Sequence, residues 1–306
     1  MKFAGRINSL KNKNEDIFVS MEKLKKIKGI THVDLNYPEH LSKLSVLEIK
    51  KRMGNLKLNG ISTRFKENFI NGEFTNPDKK IRQEAIDLCK KAIDVCQELG
   101  GNYLTIWCAF DGFDYPFQIN YEKNWNLTIS ALQEICDYSK TVKISFEYKP
   151  YEPRAFSILD SVGHVLTAIY DTKRDNIGIT LDFCHMVMKK ENPAYSLALV
   201  AMRNRLYGLH MNDGYGSIDN GLIFGSINFL QALEFVYYLV KYKYEGVVFF
   251  DSFPVREEPS KEIEANISMF NKMINIIDYL GNEYIEKILN KQDSLEIINM
   301  LNKIFK

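Results

Sequence analysis

"ISFEYKPYEPR", residues 144–154, begins as an apolar strand-like run and ends in Glu147, Lys149 and Glu152. Charged side chains are almost never fully buried unless they are paired or hold a metal. A buried strand that ends in three charges therefore asks for a partner. Glu147 and Lys149 are two residues apart, so they point to the same side of the strand. Glu152 lies past Pro150 and is expected to support that side from the following loop or to pair with a neighbour such as Arg154.

Seven further β-rich runs flank this one: "KFAGRI" at 2–7, "THVDLNY" at 31–37, "LKLNGISTRF" at 56–65, "NYLTIWCAF" at 102–110, "IGITLDF" at 177–183, "LYGLHMN" at 206–212 and "GVVFFDSF" at 246–253. Segments of helical period lie between them. The clearest is "NPDKKIRQEAIDLCKKAIDVCQELGG", with an Asn-Pro-Asp start, an apolar stripe through Ile81, Ala85, Cys89, Ala92, Cys96 and Leu99, and a Gly-Gly stop. Other helical patterns fall near 122–139, 192–205, 227–243 and 261–280. Eight strand–helix alternations predict an α/β fold of the (β/α)8 TIM-barrel type. No GxGxxG follows the first strand, which weighs against an open doubly wound sheet. The barrel is expected over 1–282, with 283–306 as a C-terminal helical extension.

Composition narrows the function classes. The 306 residues carry 40 basic and 39 acidic side chains, a net charge of +1, with no basic block, which argues against a nucleic-acid surface. Five cysteines without a CxxC pair read as reduced core thiols, and no run approaches a membrane span or a secretion signal. These features predict a cytoplasmic protein that acts on a small molecule without nucleic-acid or membrane partners.

In such a barrel the active site forms at the C-terminal ends of the strands, so polar residues there carry functional weight. The last four strands each deliver some: Glu147 and Lys149, then Asp182 and His185 in "LDFCH", then His210, Asn212 and Asp213 in "LHMND", then Asp251. Carboxylates with imidazole form a mixed oxygen and nitrogen ligand set suited to Mn2+, Co2+, Mg2+ or Zn2+. Asp219 sits among glycines in the loop "DGYGSIDNG", where backbone can approach a ligand closely.

"EYKPYEPR" matches the pattern E-x-K-P-x-E-P-R, and "SVGHVL", "LDFCH", "LHMNDGYGSIDNG" and "FFDSFP" follow it in order. From about residue 60 to 256 the chain resembles the xylose isomerase-like barrels, and within them the xylose and rhamnose isomerases. The resemblance implies that Glu147, Asp182, His210 and Asp251 hold a first divalent metal. It implies that Asp182 bridges to a second, more mobile ion beside His185 and Asp219, with Lys149 at the carbonyl end of the substrate. Trp107 and Phe110 would wall the sugar pocket, with Arg64 and Asn212 also contacting substrate.

The implied reaction is aldose–ketose interconversion by a homo-oligomer, dimer or tetramer, with one or two cations polarising O1 and O2. The chain departs from the isomerases at three places: Gly221 stands near a second loop aspartate, Asn212 replaces an aspartate ligand, and Arg64 replaces the histidine that meets the sugar ring. A ketose 3-epimerase, with Glu147 and Asp251 as acid and base, is the second expectation. A non-catalytic sugar-binding barrel and a trinuclear endonuclease rank below both, the latter because five histidines offer too few ligands.

Overall fold

The computed structural model describes residues 1–12, 15–41 and 45–305; Lys306, the last residue of the expected extension, lies outside them. Ten strands form: β1 (Lys2–Gly5), β2 (Ile30–Tyr37), β3 (Lys57–Thr63), β4 (Tyr103–Ile106), β5 (Gly112–Phe113), β6 (Lys143–Glu147), β7 (Phe156–Ser157), β8 (Ile177–Asp182), β9 (Leu206–Met211) and β10 (Val247–Phe250). Eight of them close a parallel barrel in the order β1-β10-β9-β8-β6-β4-β3-β2, which is the expected TIM barrel strand for strand. The remaining two, β5 and β7, pair antiparallel as a short ribbon that the sequence reading did not anticipate.

The helices are α1 (Ile17–Lys25), α2 (Val46–Met53), α3 (Lys79–Leu99), α4 (Tyr121–Tyr138), α5 (Val162–Thr172), α6 (Phe183–Met188), α7 (Pro193–Ala201), α8 (Phe229–Lys241), α9 (Pro259–Leu280), α10 (Asn282–Lys291) and α11 (Ser294–Ile304). In α3, Asp78 caps the first turn by accepting from the Lys80 amide, and Gly100 takes the left-handed conformation that ends the helix. Its buried face carries Ala85, Ile86, Cys89, Ala92, Ile93, Cys96 and Leu99, close to the predicted stripe. All five cysteines are free and buried, as expected of core thiols. Helix α10 docks on α8, with Glu286 accepting from Tyr237 at 2.8 Å and Lys241 at 2.7 Å.

The bore is filled by polar groups as well as apolar ones. Asn59 donates to the Asp34 carboxylate at 3.0 Å and to the Tyr103 hydroxyl at 2.7 Å. Tyr103 stands on β4, yet its hydroxyl comes to 3.1 Å of where a Cβ would sit on Gly208 of β9, three strands around the barrel. Its ring thus crosses the interior, and Gly208 is the residue that makes room. The same Cβ would lie 2.4 Å from Thr180 Oγ1, which bonds Ser145 at 2.6 Å. Among the described residues, no helix is long and apolar enough to cross a membrane.

Candidate metal and sugar site

Parallel strands in register carry their ends to one level. Glu147 and Asp182 are the last residues of β6 and β8; Asp182 pairs in register with His210, and His210 with Phe249, two residues before Asp251. Glu147, Asp182, His210 and Asp251 each offer a ligand atom within 4.8 Å of the others. The first three are buried and Asp251 is half-buried. Asp182 also caps α6 by accepting from the His185 amide at 3.0 Å, which turns that imidazole back over the cluster.

His210 Nδ1 lies 3.0 Å from Glu147 Oε1, and His185 Nδ1 lies 3.7 Å from the same oxygen and 3.8 Å from Asp182 Oδ1. Burial works against charge on both imidazoles, but the carboxylates, Glu147 for His210 and Asp182 for His185, more than offset it and push each to about 9. Burial opposes the Glu147 charge too, yet His210 holds its pKa below the ordinary value, while burial drives Asp182 upward.

The donor set fits a divalent cation on its own chemistry. His185 Nδ1, His210 Nε2, Asp219 Oδ1 and Asp251 Oδ1 are buried without a hydrogen-bond partner. Orphaned polar atoms of this kind are rare, and a cation held by His210 and Asp251 with Glu147 and Asp182 would account for two of them. Arg6 Nε is 2.8 Å from Asp251 Oδ1 but is not aligned as a hydrogen bond, and its guanidinium lies over the Phe253 ring at 4.5 Å. The sequence reading missed Arg6; its place near the end of the first strand was the available signal.

Lys149 lies 2.9 Å from Glu152 and 3.2 Å from Asp219, so Glu152 pairs with Lys149, and Arg154 pairs instead with Asp114 at 3.0 Å. Burial works against charge on Lys149, but the two carboxylates raise its pKa above the ordinary lysine value. Asp219 also meets His185 Nε2 at 3.3 Å, so the lysine already shares a carboxylate expected to hold a second metal. Asn212 is fully buried. Its amide donates to Asp182 Oδ2 at 3.1 Å and to the Asp251 carbonyl at 3.2 Å, and its oxygen accepts from the Cys184 amide at 2.9 Å. Those bonds use both its protons, so Asn212 holds two candidate ligands in place rather than facing a substrate.

Trp107 lines a cleft with Glu147 and Lys149, and both Lys149 and Arg64 lie 5.6 Å from its ring centroid. Phe110 packs against the core, and its amide is held by Glu73 at 3.1 Å. Glu73 and Asp111 form a second buried acidic group that the sequence reading did not single out. Asp111 accepts from the amides of Glu73, Phe74 and Thr75 and from the Thr75 hydroxyl, so the pair clasps the loop below Trp107.

A family model described as "Xylose isomerase-like TIM barrel" matches residues 22–273. The chain belongs to the xylose isomerase-like TIM barrel family. The xylose isomerase of Thermus thermophilus is 28% identical over 203 residues, which cover 64% of this chain and 52% of the relative. The chain thus matches about half the length of that curated relative. Among solved structures, a D-tagatose 3-epimerase-like protein superposes with a TM-score of 0.73 at 18% identity, covering 91% of this chain and 99% of that one. The IOLI protein with a bound zinc atom superposes with a TM-score of 0.69 at 17% identity, covering 90% and 98%. At these identities the superpositions speak for the family's barrel alone.

Proposed function

We propose that this member of the xylose isomerase-like family is a metal-dependent sugar isomerase that interconverts an aldose and a ketose. The observation that carries the reading is the Glu147–Asp182–His210–Asp251 cluster, whose Glu147 lines a cleft together with a charged lysine two residues along the same chain segment. The relative named xylose isomerase and the family match support the same chemistry. Glu147, Asp182, His210 and Asp251 would hold the cation, which supplies Lewis-acid polarisation of the sugar's carbonyl and adjacent hydroxyl oxygens.

The chain's own residues do the rest. Lys149 stays protonated between Glu152 and Asp219 and offers its remaining N–H to the oxygen where negative charge develops. The Trp107 ring covers the apolar face of the sugar and keeps water from that side. Asn212 fixes the orientation of Asp182, and Arg6 offsets part of the Asp251 charge.

One observation favours a second reading, ketose 3-epimerisation. Among the described residues the structure gathers one four-ligand group around these strand ends, and Asp219 is engaged by Lys149 and His185, so a single cation accounts for the geometry. Glu147 and Asp251 would then pass a proton between the faces of the sugar carbon. Adding Mn2+ or Co2+ to metal-stripped protein and following an aldose and ketose panel by NMR separates the two. Inversion at C3 without C1–C2 exchange sinks the isomerase; C1–C2 interconversion sinks the epimerase.

A further inference from the structure

Among the described residues, the buried and half-buried cations beside the acid cluster are paired, Arg64 apart. Lys149 has Glu152 and Asp219, Arg6 has Asp251 and Arg154 has Asp114, all within 3.2 Å. The half-buried guanidinium of Arg64 makes no ion pair or side-chain hydrogen bond among the described residues. Residues 13, 14, 42, 43, 44 and 306, which lie outside that description, carry no acidic side chain. What holds Arg64 is the Trp107 ring, 5.6 Å from its centroid, together with its backbone amide, which donates to the Tyr37 carbonyl at 2.8 Å. A guanidinium over an indole is fixed in plane with its edge N–H groups free, and that edge matches a carboxylate or phosphate.

The position is as informative as the missing partner. Arg64 follows β3, Trp107 follows β4 and Lys149 follows β6, three neighbours in the barrel. His210 on β9 and Asp251 after β10 stand across the mouth from β3 and β4, and Asp182 ends β8, next to β6. A sugar with its reacting end at the acid cluster and its body along Trp107 therefore presents another part of itself to Arg64. Glu147 and Glu39 act on the Arg64 charge only without direct contact, so a neutral sugar laid there would strip water from an unfilled guanidinium edge, which is costly, whereas an anionic group would pair with it.

We propose that Arg64 is a specificity-determining residue and that the substrate is a sugar bearing an anionic group, carboxylate or phosphate, received by the Arg64 guanidinium beside Trp107. This rests on the reading of the mouth as a sugar site and names the class of sugar.

Isothermal calorimetry on the full chain loaded with Mn2+ tests it. The probes are fructose, tagatose and allulose, each against its own 6-phosphate, with fructose against fructuronate to separate carboxylate from phosphate. The expected result is that at least one anionic member binds about tenfold tighter than its neutral partner at low salt, about 1.4 kcal/mol. That preference shrinks as salt is raised. In Arg64→Gln, or Arg64→Met should the first variant not fold, the preference collapses. A preference below tenfold in every pair, or one that survives both substitutions, overturns the proposal. Because heat of binding is read without turnover, an intact anion preference in a protein that converts no sugar would count against the isomerase reading alone.

Discussion

Replacing Asn212 by Asp keeps the shape of a buried side chain and reverses the chemistry of one atom. The amide nitrogen now donates to Asp182 Oδ2 at 3.1 Å and to the Asp251 carbonyl at 3.2 Å; an aspartate would set oxygen against oxygen at both. Two carboxylate charges roughly 4 Å apart repel by about 4 kcal/mol at an effective dielectric near 20. Protonating one of them relieves the repulsion, and Asp182, which burial has already pushed up to about 7, takes that proton at little cost at pH 7. The protonated acid can donate to only one of its two neighbours, and the other contact adds about 1–3 kcal/mol. Metal-free Asn212→Asp should therefore be about 1–3 kcal/mol less stable than the parent at pH 7. The loss should be much the same at pH 5, where Asp182 carries its proton in both proteins. Urea unfolding followed by circular dichroism at both pH values measures the difference, and saturating Mn2+ should recover much of it by supplying countercharge. A loss below about 1 kcal/mol at both pH values would refute the assignment of Asn212 as the donor that holds Asp182.

Three further outcomes are expected. Lys149→Met should bind Mn2+ within a few-fold of the parent in calorimetry while sugar turnover falls by roughly two to three orders of magnitude, the usual loss for one transition-state donor; near-normal turnover would remove Lys149 from its role. His185 and His210 are raised from 6.5 to about 9, so between those values the folded protein binds more protons than the unfolded chain. Metal-free protein must then lose stability as pH rises from 6.5 to 9, and a thermal midpoint that climbs over that range would contradict the His–carboxylate pairing. Gly208→Ala would drive a methyl to 2.4 Å of Thr180 Oγ1 and should cost about 1–3 kcal/mol; an unchanged urea midpoint would show that the bore is not packed as described.

The barrel was legible because strands buried on both faces read as short apolar runs, and all eight recur within a few residues of where they were expected. The charges ending those runs marked the site for the same reason. What escaped depended on packing between distant segments. Glu152 was expected to serve a neighbour such as Arg154, but the turn brings it to Lys149, and Arg154 reaches the ribbon loop at Asp114. Asn212 was expected to contact substrate on the strength of the resemblance; only the structure shows both amide protons spent within the wall. The polar bore could have been suspected from "THVDLNY", where His32, Asp34 and Asn36 alternate with apolar residues. Nothing in sequence could have said that Asp34 meets Asn59 and Tyr103. Helices α1, α2, α5 and α6 lay outside the clearest helical patterns, although α7, no longer than α1, was among them, so length alone does not separate the two groups.

Tyr103, reaching across to Gly208, makes the barrel a blind vessel rather than a tube. Whatever comes to the acid cluster enters by the rim where the strands end, and the product leaves by the same door. If the proposed sugar binds there, water driven off as it arrives has to escape through the same gap, so arrival, drying and departure are coupled at the rim beside Trp107 and Arg64. Changes that loosen this rim should quicken entry and exit together, leaving affinity less altered than the time a molecule spends inside.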